Sequence, residues 1–416
     1  MATNPKSSPV AFDRRLVFRP FIERLNPIAS PHSLEFHDLI IPRDHDPRDP
    51  GEPSIHMAFA EAAELNRGTQ MALVGGIGSG KTTELLLTHK LLRRHADAVN
   101  IYVDLADHTD LNELNTGAIL ATAGMRIYSE LKKSDKDNLV EEAHDRLREL
   151  VFGKTELVPA GSWPTDGDYD DGLMAVDIPG LVRPRFPALR REVKEVKDLL
   201  LGIASPLQRA DAQITLLVDG LDRLIRPERF REFAEQDLQA LRGTQISIII
   251  VAPLLLWYDK SRFLQDYFDL VKHIPAAAAD PKESAFLRQI LERRGALELM
   301  DRTEVSTIAK CSGGVLRDLL TLARSAAEYA YRDDQDRVGR RHVRAAIKQL
   351  GNRYLVGLGT RDKYFLRQLA KSGAFPVDEP VARELLVNRQ VLEYYSRGRE
   401  YFAVHPSLAK VLPKRA

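Results

Sequence analysis

Gly75-Gly76-Ile77-Gly78-Ser79-Gly80-Lys81-Thr82 meets the pattern G-x-x-x-x-G-K-[ST] at every fixed position. An apolar run, residues 71–74, precedes it, and a helix-like run, residues 83–92, follows. Glycine lets the backbone wrap closely around an anion. Successive N–H groups and the positive end of the next helix can then point at a phosphate. Gly76, Ile77, Gly78, Ser79, Gly80, Lys81, Thr82 and Thr83 therefore read as a polyphosphate cradle. In it Lys81 reaches the β- and γ-phosphates and the Thr82 hydroxyl takes one Mg²⁺ position. A plain Gly-rich hairpin is the bland alternative, but it accounts for neither the Lys-Thr pair nor the strand before it.

The second element lies downstream. Residues 213–218 form an apolar, β-branched run that ends at Asp219, followed by Gly220-Leu221-Asp222-Arg223. A buried parallel strand that delivers a carboxylate at its C-terminal edge is what a Walker B element needs. Asp219 is the expected partner of Thr82 in holding Mg²⁺, and Asp222 is placed to orient or deprotonate an attacking water. An Asp-Gly surface turn is the alternative for these four residues.

Composition limits the remaining choices. The 416 residues suit two or three domains, and 44% apolar with 29% charged residues is ordinary for a globular chain. Sixty basic against 59 acidic residues give no global field, so affinity for nucleic acid or a membrane surface would have to come from a local patch. The single cysteine, Cys311, excludes an internal disulfide and cysteine-based zinc sites, and reads as a small packed residue near a helix end. Neither a signal-peptide core nor a run of membrane-span length is seen, so a cytoplasmic location without membrane partners is expected.

Along the chain, residues 1–54 are rich in proline and short charged clusters such as Arg43-Asp44-His45-Asp46, and read as an irregular arm wrapping the next domain. Residues 55–280 alternate helix and strand, with Ser54 as N-cap of the first helix and an insertion at about 153–187 of Gly, Pro and Asp. Strands are expected at 99–105, 213–218, 246–251 and 270–274, giving a doubly wound parallel sheet with ligands at its carboxyl edge. Residues 281–350 are wholly helical in pattern. Residues 351–416 read as two helices and a hairpin turning at Arg397-Gly398-Arg399, the outline of a winged helix.

This order of a phosphate loop, an acidic second-strand residue (Asp104), a Walker B strand, a further apolar strand, a helical lid and a winged helix resembles AAA+ and STAND-type ATPases. The nearest resemblance is to the initiator-like clade and to NTPases of bacterial defence systems. It spans about residues 55–416 and implies an α/β fold: a P-loop NTPase parallel sheet with a helical lid domain and a C-terminal winged-helix domain. The resemblance also implies ATP and Mg²⁺ as cofactors. It implies a sensor-2 role for Arg317, in the stretch Cys311-Ser312-Gly313-Gly314-Val315-Leu316-Arg317, with the guanidinium directed at the γ-phosphate. Ser312-Gly313-Gly314 also matches part of an ABC-type signature, but that motif precedes Walker B and this stretch follows it.

Two departures stand out. Gly220 occupies the position where AAA+ chains place a Glu, as in the STAND variant, so slow, switch-like hydrolysis is expected. The fourth strand runs into Ala252-Pro253 where a polar sensor-1 residue is usual. Arg242 and Arg262 are positional candidates for an arginine finger.

Residues 353–415 carry twelve Lys/Arg against six Asp/Glu, a surplus that Arg397 and Arg399 would present on the wing. Contact with a duplex DNA backbone and packing within the protein remain competing readings. The expected function is an ATP-binding, slowly hydrolysing switch. It changes conformation or forms homo-oligomers with nucleotide state (ATP or ADP), alone or with a partner protein of the same bacterial system. A DNA-binding loader or transposition-type regulator and a non-catalytic scaffold are the alternatives.

Overall fold

The computed structural model describes residues 13–26, 38–49, 51–95, 98–105, 111, 114, 116–132, 135–152, 190–224, 227–277 and 281–413. The expected insertion at 153–187 lies outside them.

Five strands, β1 (Gln70–Gly75), β2 (Ala98–Asp104), β3 (Gln213–Asp219), β4 (Ile246–Ala252) and β5 (Leu270–Ile274), run parallel in the order β2-β3-β4-β1-β5. Every residue of β1 and β4 is buried, as strands covered on both faces must be. Alternation separates the faces. Met71, Leu73, Leu217 and Ile249 pack with α2 (Ile55–Leu65) and α3 (Lys81–Leu92). Ala72, Val74, Leu216 and Ile248 pack with α4 (Ala118–Glu130), α5 (Asn138–Phe152), α6 (Arg190–Arg209) and α7 (Pro227–Leu241). This is the α/β parallel-sheet fold of a P-loop NTPase. Because β1, β4 and β3 run parallel, the glycine loop leaving β1 and the acid ending β3 emerge on the same carboxyl edge, with the short helix α8 (Phe263–Tyr267) leading into β5.

Beyond the sheet, α9 (Pro281–Arg293), α10 (Ala296–Leu299), α11 (Arg302–Cys311), α12 (Leu316–Arg332) and α13 (Arg340–Leu355) enclose a second core around Leu291, Met300, Val305, Leu319 and Ile347. Cys311, the last residue of α11, is buried in it. Two further helices, α14 (Thr360–Ser372) and α15 (Pro380–Val387), precede the antiparallel pair β6 (Val391–Ser396) and β7 (Arg399–Val404), and α16 (Pro406–Ala409) follows. Leu366, Leu385, Val391 and Leu408 join the same core, so the lid and the C-terminal segment are packed continuously.

Two expectations need correction. Within the arm read as irregular, α1 (Arg14–Arg24) is helical, with Asp13 accepting from the Arg15 N–H at its start. Its Phe18, Phe21 and the following Leu25 form one apolar stripe buried in the lid core rather than against the sheet. Ser54 is the N-cap of α2 as expected, but its side chain makes no capping bond and its Oγ lies 3.1 Å from His56 Nε2 instead.

Candidate nucleotide site

The loop after β1 depends on its glycines. Gly78 and Gly80 have φ of +82° and +111°, the left-handed region where a side chain is strained. No side chain caps α3, which starts at Lys81, so its first-turn N–H groups are presented as an anion site. Lys81 is almost wholly buried. Its Nζ donates to the Gly75 and Gly76 carbonyls at 3.0 and 2.7 Å and pairs with Asp222 Oδ2 at 2.8 Å.

Asp219, only 3% exposed, is fixed by two donors: the Tyr102 hydroxyl at 3.0 Å and the Gly220 N–H at 2.7 Å. Gly220 permits this turn with φ of +89°, and Asp222 follows in a short 3₁₀ turn. Asp104 is in register with Asp219 on the neighbouring strand and pairs with Arg223 at 3.6 Å.

Ile77, Gly78, Gly80, Lys81, Thr82, Thr83, Asp219, Asp222 and Arg317 all line one cavity of about 170 Å³. Residues from both halves of the sheet and from the lid thus converge. Gly76 and Ser79 line a smaller neighbouring cavity, which Arg389, Leu392 and Glu393 of the C-terminal segment also border. Ser79 Oγ is buried with no hydrogen-bond partner among the described residues, and the three donors of the Lys81 ammonium meet two loop carbonyls and the Asp222 carboxylate. A loop with an orphaned donor, left-handed glycines and a buried ammonium fits a polyphosphate. A hydroxyl and a carboxylate are hard oxygen donors of the kind Mg²⁺ takes.

The lid rests directly on this loop. The Leu316 N–H donates to the Gly78 carbonyl at 2.8 Å, and a Cβ added at Gly78 would meet Val315 at 2.9 Å and Arg317 at 3.0 Å. Gly314, at φ +77°, lets α12 approach so closely that a Cβ there would lie 2.1 Å from the Ala277 carbonyl. Arg317 keeps solvent contact at the cavity, yet partial burial and the nearby Arg389 and Arg223 lower its proton affinity. Arg223 and Arg317 line the same cavity and repel each other, and an anion bound there would relieve that repulsion.

The C-terminal hairpin also docks beside the loop. Ala276 N–H donates to the Glu393 carbonyl at 3.0 Å, and Tyr394 donates to the Gly313 carbonyl at 3.0 Å. Arg48 sits between the Trp257 and Tyr395 rings, at 4.9 and 4.7 Å, and reaches His273 Nδ1 at 2.8 Å and Glu400 at 3.1 Å. Arginine only donates, so Nδ1 is the acceptor in that contact, and His273 Nε2 lies 3.1 Å from Glu393 Oε2. Burial alone would raise the Glu393 carboxyl, but His273, Tyr258 and Arg48 outweigh it and hold it below its ordinary value.

Sequence reasoning missed Tyr102, Arg223, Arg389 and the segment 38–49. Tyr102 had a signal, since it lies two residues before Asp104 in β2, but the others depend on tertiary approach. Of the finger candidates, Arg242 donates to the Asp266 carbonyl at 2.7 Å and Arg262 is exposed at the start of α8. Neither borders the cavity within this chain.

No family model matches the sequence, and no curated protein is found similar to it. Among solved structures, the Aeropyrum pernix ORC2 protein (ADPNP-ADP complexes) aligns at 16% identity and a TM-score of 0.46, over 90% of this chain and 93% of that one. The Aeropyrum pernix ORC1 protein in complex with DNA aligns at 17% and 0.43, over 94% and 95%. The Thermotoga maritima RuvB Holliday junction branch migration motor aligns at 14% and 0.42, over 86% and 92%. At these identities and scores the likenesses carry no functional argument, so the site is read from its own residues.

Proposed function

We propose that the chain is a Mg²⁺-dependent, slowly hydrolysing ATPase that works as a conformational switch. The supporting observation is that a single cavity gathers Lys81, Thr82, Asp219, Asp222 and Arg317 from three separate parts of the chain. Thr82 and Asp219 would hold Mg²⁺, which when bound neutralises phosphate charge. Lys81 would exchange Asp222 for a phosphate oxygen, releasing the Asp222 carboxylate to take a proton from water. Arg317 would report the terminal phosphate to the lid, which already bonds the loop through Leu316 and Gly78. Gly220 leaves no acid directly after Asp219, in keeping with slow turnover.

In equilibrium binding, Lys81→Ala should lose ATP, whereas Asp222→Asn should keep it and lose phosphate release by at least about tenfold. Equal ATP affinity in the wild type and Lys81→Ala would refute the reading. Phosphate release followed over hours separates it from a non-catalytic scaffold.

The resemblance noted in the sequence would set such a switch within a bacterial defence-type system, forming homo-oligomers or engaging a partner protein. A second reading, a DNA-binding loader, has support in Arg397 and Arg399, both exposed at the hairpin turn of a basic segment. Changing both to Glu should abolish any DNA stimulation of hydrolysis and leave the basal rate intact.

A further inference from the structure

Among the described residues two arginines border the phosphate cavity, and they come from different parts of the fold. Arg317 belongs to α12 of the lid, whereas Arg223 belongs to the sheet. Arg223 closes the 3₁₀ turn Leu221–Arg223 directly after Asp222, its N–H donating to the Gly220 carbonyl at 3.3 Å. The turn therefore sets a guanidinium next to the carboxylate that pairs with Lys81. That guanidinium is loosely held. Its one ion pair among the described residues is to Asp104, at 3.6 Å and beyond a hydrogen bond, and the side chain is 48% exposed. Asp104 ends β2 in register with Asp219, so the contact keeps the charge of Arg223 beside the end of β3. A half-exposed pair at that distance is weak, and exchanging it for a phosphate oxygen costs little. The other cations are less available for chemistry: the donors of Lys81 are already met, and Arg242 and Arg262 stand off the cavity.

We propose that Arg223 is a further catalytic residue, which leaves Asp104 to bind the transferring γ-phosphoryl group and stabilises its charge from within the same chain. The inference rests on the ATPase reading above and adds a cation on the sheet side of the reaction. Phosphoryl transfer spreads negative charge over the equatorial oxygens, and cations already in place lower its barrier. As the water oxygen bonds to the γ-phosphorus, its proton passes to Asp222 and the bond to the bridging oxygen breaks, ADP leaving with the electron pair. Arg223 keeps its proton throughout. Because it is carried by the sheet, it acts without any movement of the lid, and the two arginines divide the work: Arg317 reports the phosphate to the lid, and Arg223 lowers the barrier.

Three measurements on the full chain with Mg²⁺ test this: single-turnover phosphate release, calorimetric affinity for ATP and ADP, and trapping by ADP with aluminium fluoride. The wild type is compared with Arg223→Ala, Arg223→Lys and Lys81→Ala. Arg223→Ala should bind ATP and ADP as the wild type does, release phosphate about a hundredfold more slowly and lose the aluminium fluoride trap. Guanidinium ion at low concentration, set against sodium chloride at equal ionic strength, should restore part of that rate and leave the wild type unchanged. A strut for the turn would give no such rescue. Arg223→Lys should fall between the two, since an ammonium keeps the charge but not the planar fork. Unchanged turnover in Arg223→Ala, ATP affinity lost in step with turnover, or a rate indifferent to guanidinium would overturn the proposal. If Lys81→Ala loses ATP while Arg223→Ala turns over as the wild type does, only the role of Arg223 falls. If Lys81→Ala binds ATP as the wild type does, or the wild type releases no phosphate over hours, the ATPase reading falls and takes this one with it.

Discussion

Asp237 on α7 is fully buried and serves the start of another helix, accepting from the Gly117 N–H and, at 2.8 Å, from the Ile119 N–H of α4. Burial pushes its carboxyl up to about 7 against the opposing pull of these backbone donors. Since the folded value lies above the unfolded one, the native state gains a proton between about pH 4 and about pH 7 and loses stability as the pH rises through that window. Compared with Asp237→Asn in chemical denaturation, the wild type should lose up to about 4 kcal/mol of relative stability across it. A gap independent of pH would show that the carboxylate stays charged throughout. No motif announces Asp237, because its partners come from a distant helix. The phosphate loop was legible for the opposite reason: Gly78, Gly80, Lys81 and Thr82 owe their chemistry to neighbours in the chain. Arg43 was not legible, since its cluster Arg43-Asp44-His45-Asp46 looks solvated and its burial depends on Glu283 in the lid.

Among elements, the parallel strands announced themselves through β-branched runs bounded by turns, and the described sheet follows them closely. Helix α1 did not, because Pro20 and its arginines masked the spacing of Phe18 and Phe21. The hairpin β6–β7 was readable as a turn between two apolar runs, but its seat on the sheet was not, since Glu393 meets His273 only after folding. Glu393→Ala would leave the buried His273 and Arg48 without that carboxylate, and the change should cost about 3–5 kcal/mol of local stability. Hydrogen exchange at β6 and β7 is the measurement, and protection unchanged from the wild type would count against a docked pair. The pH sign here is opposite to that of Asp237. A depressed carboxyl stabilises above its ordinary range and stops doing so as the pH falls through its folded value, so the hairpin should release in acid.

For the whole molecule, the lid bonds the phosphate loop through Leu316 and Gly78 and the hairpin bonds the lid through Tyr394 and Gly313, so a change at Gly78 reaches the lid directly and the hairpin through the lid. Solution mass with a non-hydrolysable ATP analogue, and then with ADP, each with and without duplex DNA, should differ between nucleotides if this coupling drives assembly. A single mass under all four conditions would argue for a scaffold. The joining of the N-terminal segment to everything after it has a practical corollary. A truncation designed around the recognisable motifs would begin near Ile55 and discard Phe18, Phe21, Arg43 and Arg48. Such a fragment would expose the oily groove on the helical domain and empty the aromatic slot between Trp257 and Tyr395. It would be expected to aggregate even though every signature residue was retained.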